Sequence, residues 1–268
     1  MKKSCVAVLG MLFILTWVGV SNSESKIAGK AVEYSVQGGT MKSYLAYDEN
    51  IKGRRPAVLV VPEWWGVNAY AHRRARMLAE LGYTALAVDM YGDGKEVTTP
   101  EEAGKLSSEV MQNLDLAQAR FMAATDFLRK QTTADPARIA AIGYCFGGGV
   151  VLNMARQGED LKGVVSFHGS LKAVKPAQPG GIKAKILVLT GGDDGFVPTE
   201  QVEAFKREME ATGADFRIIS YPGAKHSFTN PDADALGKKF NLPIAYHPEA
   251  DKKSWDEMKV FLDDIFKK

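Results

Sequence analysis

Gly143-Tyr144-Cys145-Phe146-Gly147-Gly148 stands between the apolar run Arg138 to Ile142 (RIAAI) and the segment Gly148 to Arg156 (GGVVLNMAR). The first flank reads as a strand and the second as a helix, so Cys145 falls at a sharp strand-to-helix turn, the nucleophile-elbow pattern with Cys in place of Ser. Such a turn is strained, and side chains two residues before and after the nucleophile would collide with neighbouring backbone. Gly143 and Gly147 meet that demand. A thiol at a helix N-terminus faces unsatisfied N–H groups and the positive end of the dipole. Taken alone, the hexapeptide fits an inert buried Cys in a glycine-rich helix start equally well.

Working outward, short apolar runs rich in β-branched residues alternate with segments of helical period from Ala31 onward. Ala31 to Val36 and Met41 to Tyr47, separated by Gln37-Gly38-Gly39, read as a hairpin. Further strands are expected at Ala57 to Pro62, Thr84 to Asp89, Ile139 to Tyr144, Gly163 to His168, Ile186 to Thr190 and Phe216 to Tyr221. Several are apolar without alternation, which fits strands covered on both faces by helices. Helices are expected at Ala69 to Leu81, Glu101 to Met111, Leu114 to Lys130, Gly148 to Arg156, Glu200 to Ala211 and Lys252 to Phe266. An antiparallel start followed by βα alternation predicts an α/β fold with a mainly parallel, doubly wound, eight-stranded sheet flanked by helices. In such sheets the working residues collect beyond the carboxyl ends of the strands.

Two later signals decide between the readings of Cys145. Thr190 to Pro198 (TGGDDGFVP) follows the run KILVL, and Ala224 to Phe228 (AKHSF) follows RIISYPG. Nucleophile, acid, then histidine is the chain order of the α/β-hydrolase triad, each member on the loop after a different strand. The predicted triad is Cys145, Asp194 and His226. Asp194 is preferred by its spacing to Val197-Pro198, whereas Asp193 reads as a turn or capping residue. Among the other histidines, His72 lies in the polar stretch AHRRAR and is expected on a solvated helix face. His247 is expected at the surface, and His168 reads as a satisfied near-core imidazole.

Val61 to Asn68 (VPEWWGVN) follows an early parallel strand, where the second donor of an oxyanion hole is expected. The predicted donors are the backbone amides of Phe146 and Trp64. Glu63 has two readings, an exposed loop carboxylate or a contact to the thiol of Cys145. Trp65 and Ser227 are expected to wall the substrate pocket, although core packing suits one of the two tryptophans equally. Asp89 reads as a loop-forming carboxylate.

With 34 Lys plus Arg against 32 Asp plus Glu, 46% hydrophobic and 25% charged residues, the 268-residue chain has the composition of an ordinary globular protein. Disorder, collagen and coiled coil are excluded, and no polybasic tract suggests nucleic acid. Met1 to Lys3 is basic, and Cys5 to Val20 is an apolar run of about 16 residues followed by Ser21-Asn22-Ser23, a signal-peptide layout. The expected organisation is a leader over residues 1–23, cleaved or kept as an anchor, and one domain over 24–268. Export to a periplasm or beyond is the expected address. Cys5 would leave with the leader, so Cys145 would be an unpaired thiol in an oxidising compartment.

At PEWWGVN, GYCFGGG, DDGFVP and the Gly223 to Phe228 stretch, the chain resembles the dienelactone hydrolase family of α/β-hydrolases, over about Tyr34 to Phe266. That resemblance implies a Cys, Asp and His triad on Cys145, Asp194 and His226. It also implies that Glu63 contacts the resting thiol and shifts when substrate binds. In members that cleave dienelactone, an arginine four residues after the histidine holds the substrate carboxylate. Here that position is Asn230, and Pro100 to Leu106 has no arginine. The expected function is cofactor-independent, metal-free hydrolysis of a small-molecule carboxylic ester or lactone through an acyl-enzyme, by a monomer without stable membrane contact. The alternative is a non-catalytic ligand-binding or thiol-sensing protein on the same fold. Peroxide-linked thiol chemistry lacks a nearby resolving cysteine.

Overall fold

The computed structural model describes residues 25–267. The expected leader over residues 1–23, with Cys5, lies outside them. The hairpin forms as expected, β1 (Ile27–Val36) and β2 (Gly39–Asp48) pairing in antiparallel register. Then come β3 (Arg55–Val61), α1 (Ala69–Glu80), β4 (Thr84–Ala87), α2 (Pro100–Gln112), α3 (Leu114–Arg129) and β5 (Ala134–Tyr144). The remainder is α4 (Phe146–Arg156), β6 (Gly163–Phe167), β7 (Lys185–Gly191), α5 (Thr199–Thr212), β8 (Phe216–Tyr221), α6 (Ala233–Phe240) and α7 (Pro248–Phe266). The eight strands form one sheet in the order β1-β2-β4-β3-β5-β6-β7-β8, parallel from β4 through β8.

The central strands are buried on both faces because each face packs against its own apolar layer. Leu59, Ile139, Ala141, Val164 and Val188 face a core that includes Phe121 of α3 and Leu152 of α4. Val58, Val60, Ile142, Val165 and Leu187 face a second core that includes Leu78 of α1 and Leu262 of α7. This alternation within continuous apolar runs is what buried parallel strands require. The crossover of chain direction around β3 and β5 leaves the loops after β3, β5, β6, β7 and β8 gathered at one end of the sheet.

Helix α6 is a departure from the expected elements. Its sequence, ADALGKKF, is short, polar and carries Gly237, so its helical period is faint, and it ends at Asn241 in the left-handed region. Helix α1 corrects another expectation. Tyr70, Ala71, Arg74, Ala75, Leu78 and Ala79 are buried along one stripe, so Arg74 points into the protein. Its guanidinium donates to Asp251 Oδ1 and the Thr229 carbonyl, both at 2.6 Å, and to the Tyr70 hydroxyl at 3.1 Å. His72 is half-buried and stacks on Tyr44 at 4.1 Å, not on an open face. His247 caps α7, its Nδ1 accepting from the Ala250 amide at 3.2 Å. Asp89 shapes its loop as expected, accepting from the amides of Lys42, Tyr91, Gly92 and Gly94.

Removing the Arg74 side chain leaves Asp251 buried without its cation, a change that typically costs about 3–5 kcal/mol. Arg74→Ala is therefore expected to lower the unfolding free energy by that order in urea titration. A loss below about 1 kcal/mol, the range of exposed pairs, would contradict the tie between α1 and α7.

Candidate active site

At the carboxyl end of β5 the chain turns straight into α4, and Cys145 at the apex has φ 52° and ψ −115°. A left-handed φ on a residue with a side chain costs about 1–3 kcal/mol and survives only where the surroundings impose it. Here they do. A Cβ on Gly143 would lie 2.1 Å from the Gly147 carbonyl oxygen, and one on Gly147 would lie 2.2 Å from that of Val61. Both contacts are with backbone, which has no room to move. The Gly147 amide donates to the Pro62 carbonyl at 3.1 Å, so the elbow and the loop after β3 are bound together.

The loops after β7 and β8 bring Asp194 and His226 to this apex. His226 Nδ1 donates to Asp194 Oδ2 at 2.9 Å, and Asp194 Oδ1 accepts the Phe196 amide at 2.9 Å. Asp194 is buried whereas Asp193 is exposed, in accord with the choice between them. His226 and Cys145 line the same cavity, so the ring and the sulfur face one space. Burial opposes a charge on this imidazole, but the sulfur on one side and Asp194 on the other outweigh it and push its pKa up to about 10. Phe196 covers the ring at 4.9 Å between ring centres and is itself half-exposed.

Phe146 is the first residue of α4, so its amide has no acceptor within the helix. Among the described residues, neither this amide nor that of Trp64 donates to another backbone carbonyl outside regular elements. The Trp64 peptide is fixed from behind by the Tyr91 hydroxyl, which donates to its carbonyl at 2.9 Å. The Phe146 amide opens α4 directly after Cys145, and Trp64 lies two residues beyond Pro62, whose carbonyl is bonded to the elbow at Gly147.

Glu63 is buried, which removes the exposed-loop reading. Its hydrogen bonds do not reach the thiol either. Oε2 accepts from Asn230 Nδ2 at 2.6 Å, and Oε1 has no hydrogen-bond partner among the described residues. Burial pushes this carboxyl up from the usual carboxylate range, with Asn230, Ser227, His226 and Arg74 opposing. The bonded partner of Glu63 is Asn230, the residue that stands where an arginine was sought.

Trp64, Cys145, Phe146, Phe196, His226 and Ser227 line a cavity of about 350 Å³, whose far wall includes Met111 of α2, Leu242 and Ile244. Ser227 is placed as expected. Trp65 is not; it is buried against Trp64 and Phe240, at 5.2 and 6.1 Å between ring centres. No lysine or arginine among the described residues lines the cavity. Among the described residues, no group of His, Cys, Asp and Glu has the arrangement of a metal site.

A profile of the dienelactone hydrolase family matches residues 41–266. Protein usf of Aquifex pyrophilus is 28% identical over 232 residues, covering 82% of this chain and 98% of that protein. The crystal structure of a dienelactone hydrolase-like promiscuous phosphotriesterase from metagenomic libraries superposes with a TM-score of 0.84 at 33% identity, covering 90% of this chain and 99% of that one. A dienelactone hydrolase from Anabaena variabilis shares the fold, with a TM-score of 0.59 at 23% identity over 81% of this chain and 94% of that one. The chain belongs to the dienelactone hydrolase family, and it is a hydrolase of esters or lactones.

The raised His226 pKa fixes a sign. The folded protein binds this proton more tightly than the unfolded chain, whose imidazole titrates near 6.5. The stability it contributes is complete below about pH 6.5 and is lost as pH rises through about 10. Ring-nitrogen NMR is expected to show His226 titrating near 10 in the wild type and lower in Cys145→Ala. An unchanged midpoint in that variant would mean the sulfur is not what holds the proton.

Proposed function

We propose that this member of the dienelactone hydrolase family cleaves small, uncharged carboxylic esters or lactones with Cys145 as nucleophile, His226 as proton carrier and Asp194 as the group that orients it. The observation that carries this reading is that Cys145 and His226 line one apolar cavity while Asp194 holds the imidazole by its Nδ1 at 2.9 Å. The sulfur, its proton held on His226 Nε2, attacks the substrate carbonyl carbon. The carbonyl electron pair moves to oxygen, which the amides of Phe146 and Trp64 receive. As the tetrahedral species collapses, the carbon–oxygen bond to the leaving group breaks and the alkoxide takes the proton from His226. A water then gives its proton to Nε2 and attacks the thioester, and the carbon–sulfur bond breaks to release the acid.

Asp194 keeps Nδ1 protonated, so Nε2 is the atom facing the reaction, and its charge stabilises the imidazolium. The apolar lining, which among the described residues includes no lysine or arginine, favours a substrate without a free carboxylate, since the triad imidazole is already paired with Asp194 and such a group would be desolvated there without a cation of its own. Export remains part of the proposal and rests on the sequence of residues 1–23.

A small aryl ester such as an aryl acetate or butyrate is expected to be turned over by the wild type. Cys145→Ala is expected to lose on the order of 10³-fold or more in kcat/KM while still unfolding in one cooperative thermal transition. A carboxylate-bearing ester of the same size should be at least about tenfold poorer, equivalent to about 1.4 kcal/mol. Retention of more than a tenth of the activity in Cys145→Ala would remove the assigned nucleophile. Equal turnover of the charged ester would remove the substrate class.

A further inference from the structure

His168 takes no part in the chemistry above, yet it is the most constrained side chain beside it. It follows β6 with its ring fully buried, and its φ of 41° again places a residue with a side chain in the left-handed region. Both ring nitrogens are engaged. Nδ1 accepts from the Cys145 amide at 3.1 Å, sharing that N–H with the Phe167 carbonyl at 3.0 Å, and Nε2 lies 2.7 Å from Thr229 Oγ1. A backbone amide only donates, so Nδ1 is bare and Nε2 carries the proton and donates to Thr229.

Thr229 lies three residues beyond His226, and it is held in turn. Its Oγ1 shares a hydrogen bond with the Tyr70 hydroxyl at 2.6 Å, and its carbonyl accepts from Arg74 at 2.6 Å. One neutral imidazole therefore joins the loop carrying the sulfur to the loop carrying His226, and α1 anchors the far end.

We propose that His168 is a positioning residue, a strut from the Cys145 amide to Thr229 that sets the distance between the sulfur and the His226 ring, and that it works only as its neutral Nε2–H tautomer. The proposal rests on the reading of Cys145 and His226 as nucleophile and proton carrier. Protonation of Nδ1 would set one N–H against another at Cys145 and place a second cation 5.3 Å, ring centre to ring centre, from His226. The titratable and charged groups around His168 are His226 on the loop after β8, Tyr144 on β5, and Tyr70 and Arg74 on α1. None of them is a carboxylate that would favour a charged ring. Burial, with His226 and Arg74 adding to it, drives the His168 pKa well below the usual imidazole range.

Three substitutions dissect the strut because amide atoms overlay ring nitrogens. His168→Asn places an oxygen where Nδ1 sits and tolerates the left-handed backbone. His168→Gln places a donor where Nε2 sits. His168→Phe keeps the ring and loses both bonds. The readouts are kcat and KM for a neutral aryl ester, the pH profile of Cys145 alkylation by iodoacetamide, and thermal unfolding to count folded sites. His168→Phe is expected to lower kcat per folded site by about 10- to 100-fold with KM within about twofold, the pattern of misplaced reacting groups. Its alkylation midpoint is expected to move by at least about half a pH unit. Asn should recover more of both than Gln, and Thr229→Val should move them in the direction of Phe by less.

If His168→Phe does not fold, His168→Asn and Thr229→Val carry the test. Unchanged kcat per folded site and an unchanged alkylation profile in the folded variants would overturn the strut. Full activity in Cys145→Ala would instead remove the nucleophile reading, while the alkylation profile would still report whether His168 positions the sulfur.

Discussion

The turn at Cys145 exists because two α-carbons beside it carry only hydrogen. The Val61 carbonyl closes on Gly147, and the Gly147 carbonyl closes on Gly143, at distances no side chain survives. That crossing of backbone does three things together. It holds the left-handed φ at Cys145, starts α4 at Phe146 so that its unpaired first amide lies next to the sulfur-bearing residue, and locks the elbow to the loop that presents Trp64. The contacts of His226 and Asp194 with the site have meaning only once the sulfur is fixed there.

Around that turn, polar groups are either fully paired or held in one state by burial. Cys145 and Asp194 together outweigh desolvation and push His226 toward its protonated form, whereas the Glu63 carboxyl, with Asn230 for a partner, is pushed toward its neutral form. His168 is pushed the other way, away from its proton. The result is an imidazole favoured in its protonated form by Asp194, beside a carboxyl and a second imidazole that burial pushes toward neutrality. Strained backbone recurs at Cys145, His168 and Ser227, which lie on the loops after β5, β6 and β8.

Much of the fold was legible because its signals are local. Uninterrupted apolar runs marked the central strands, and Gln37-Gly38-Gly39 marked the hairpin. The elbow glycines and the chain order of Cys145, Asp194 and His226 located the centre of the site before any geometry was known. What escaped depends on partners far apart in sequence. Arg74 sits on the apolar stripe of α1 at positions 70, 71, 74, 75, 78 and 79, a spacing readable in advance, but its partner Asp251 is 177 residues away. Glu63 is bonded to Asn230 across 167 residues, so neither its burial nor that partner was written in PEWWGVN. Trp64 and Trp65 are adjacent and chemically alike, and only Phe240 of the unforeseen helix α6 decides which one is packed away. The bridge from His168 to Thr229 likewise spans 61 residues.

The most direct test of the sulfur's role is intact-protein mass spectrometry of the wild type quenched in acid during turnover of a slowly deacylated aryl ester, followed by peptide mapping. The expected result is one acyl adduct per chain, on the peptide that contains Cys145 and released by hydroxylamine at neutral pH as thioesters are. Turnover with the acyl group mapped to a serine, such as Ser227 or Ser170 at the cavity wall, would contradict it.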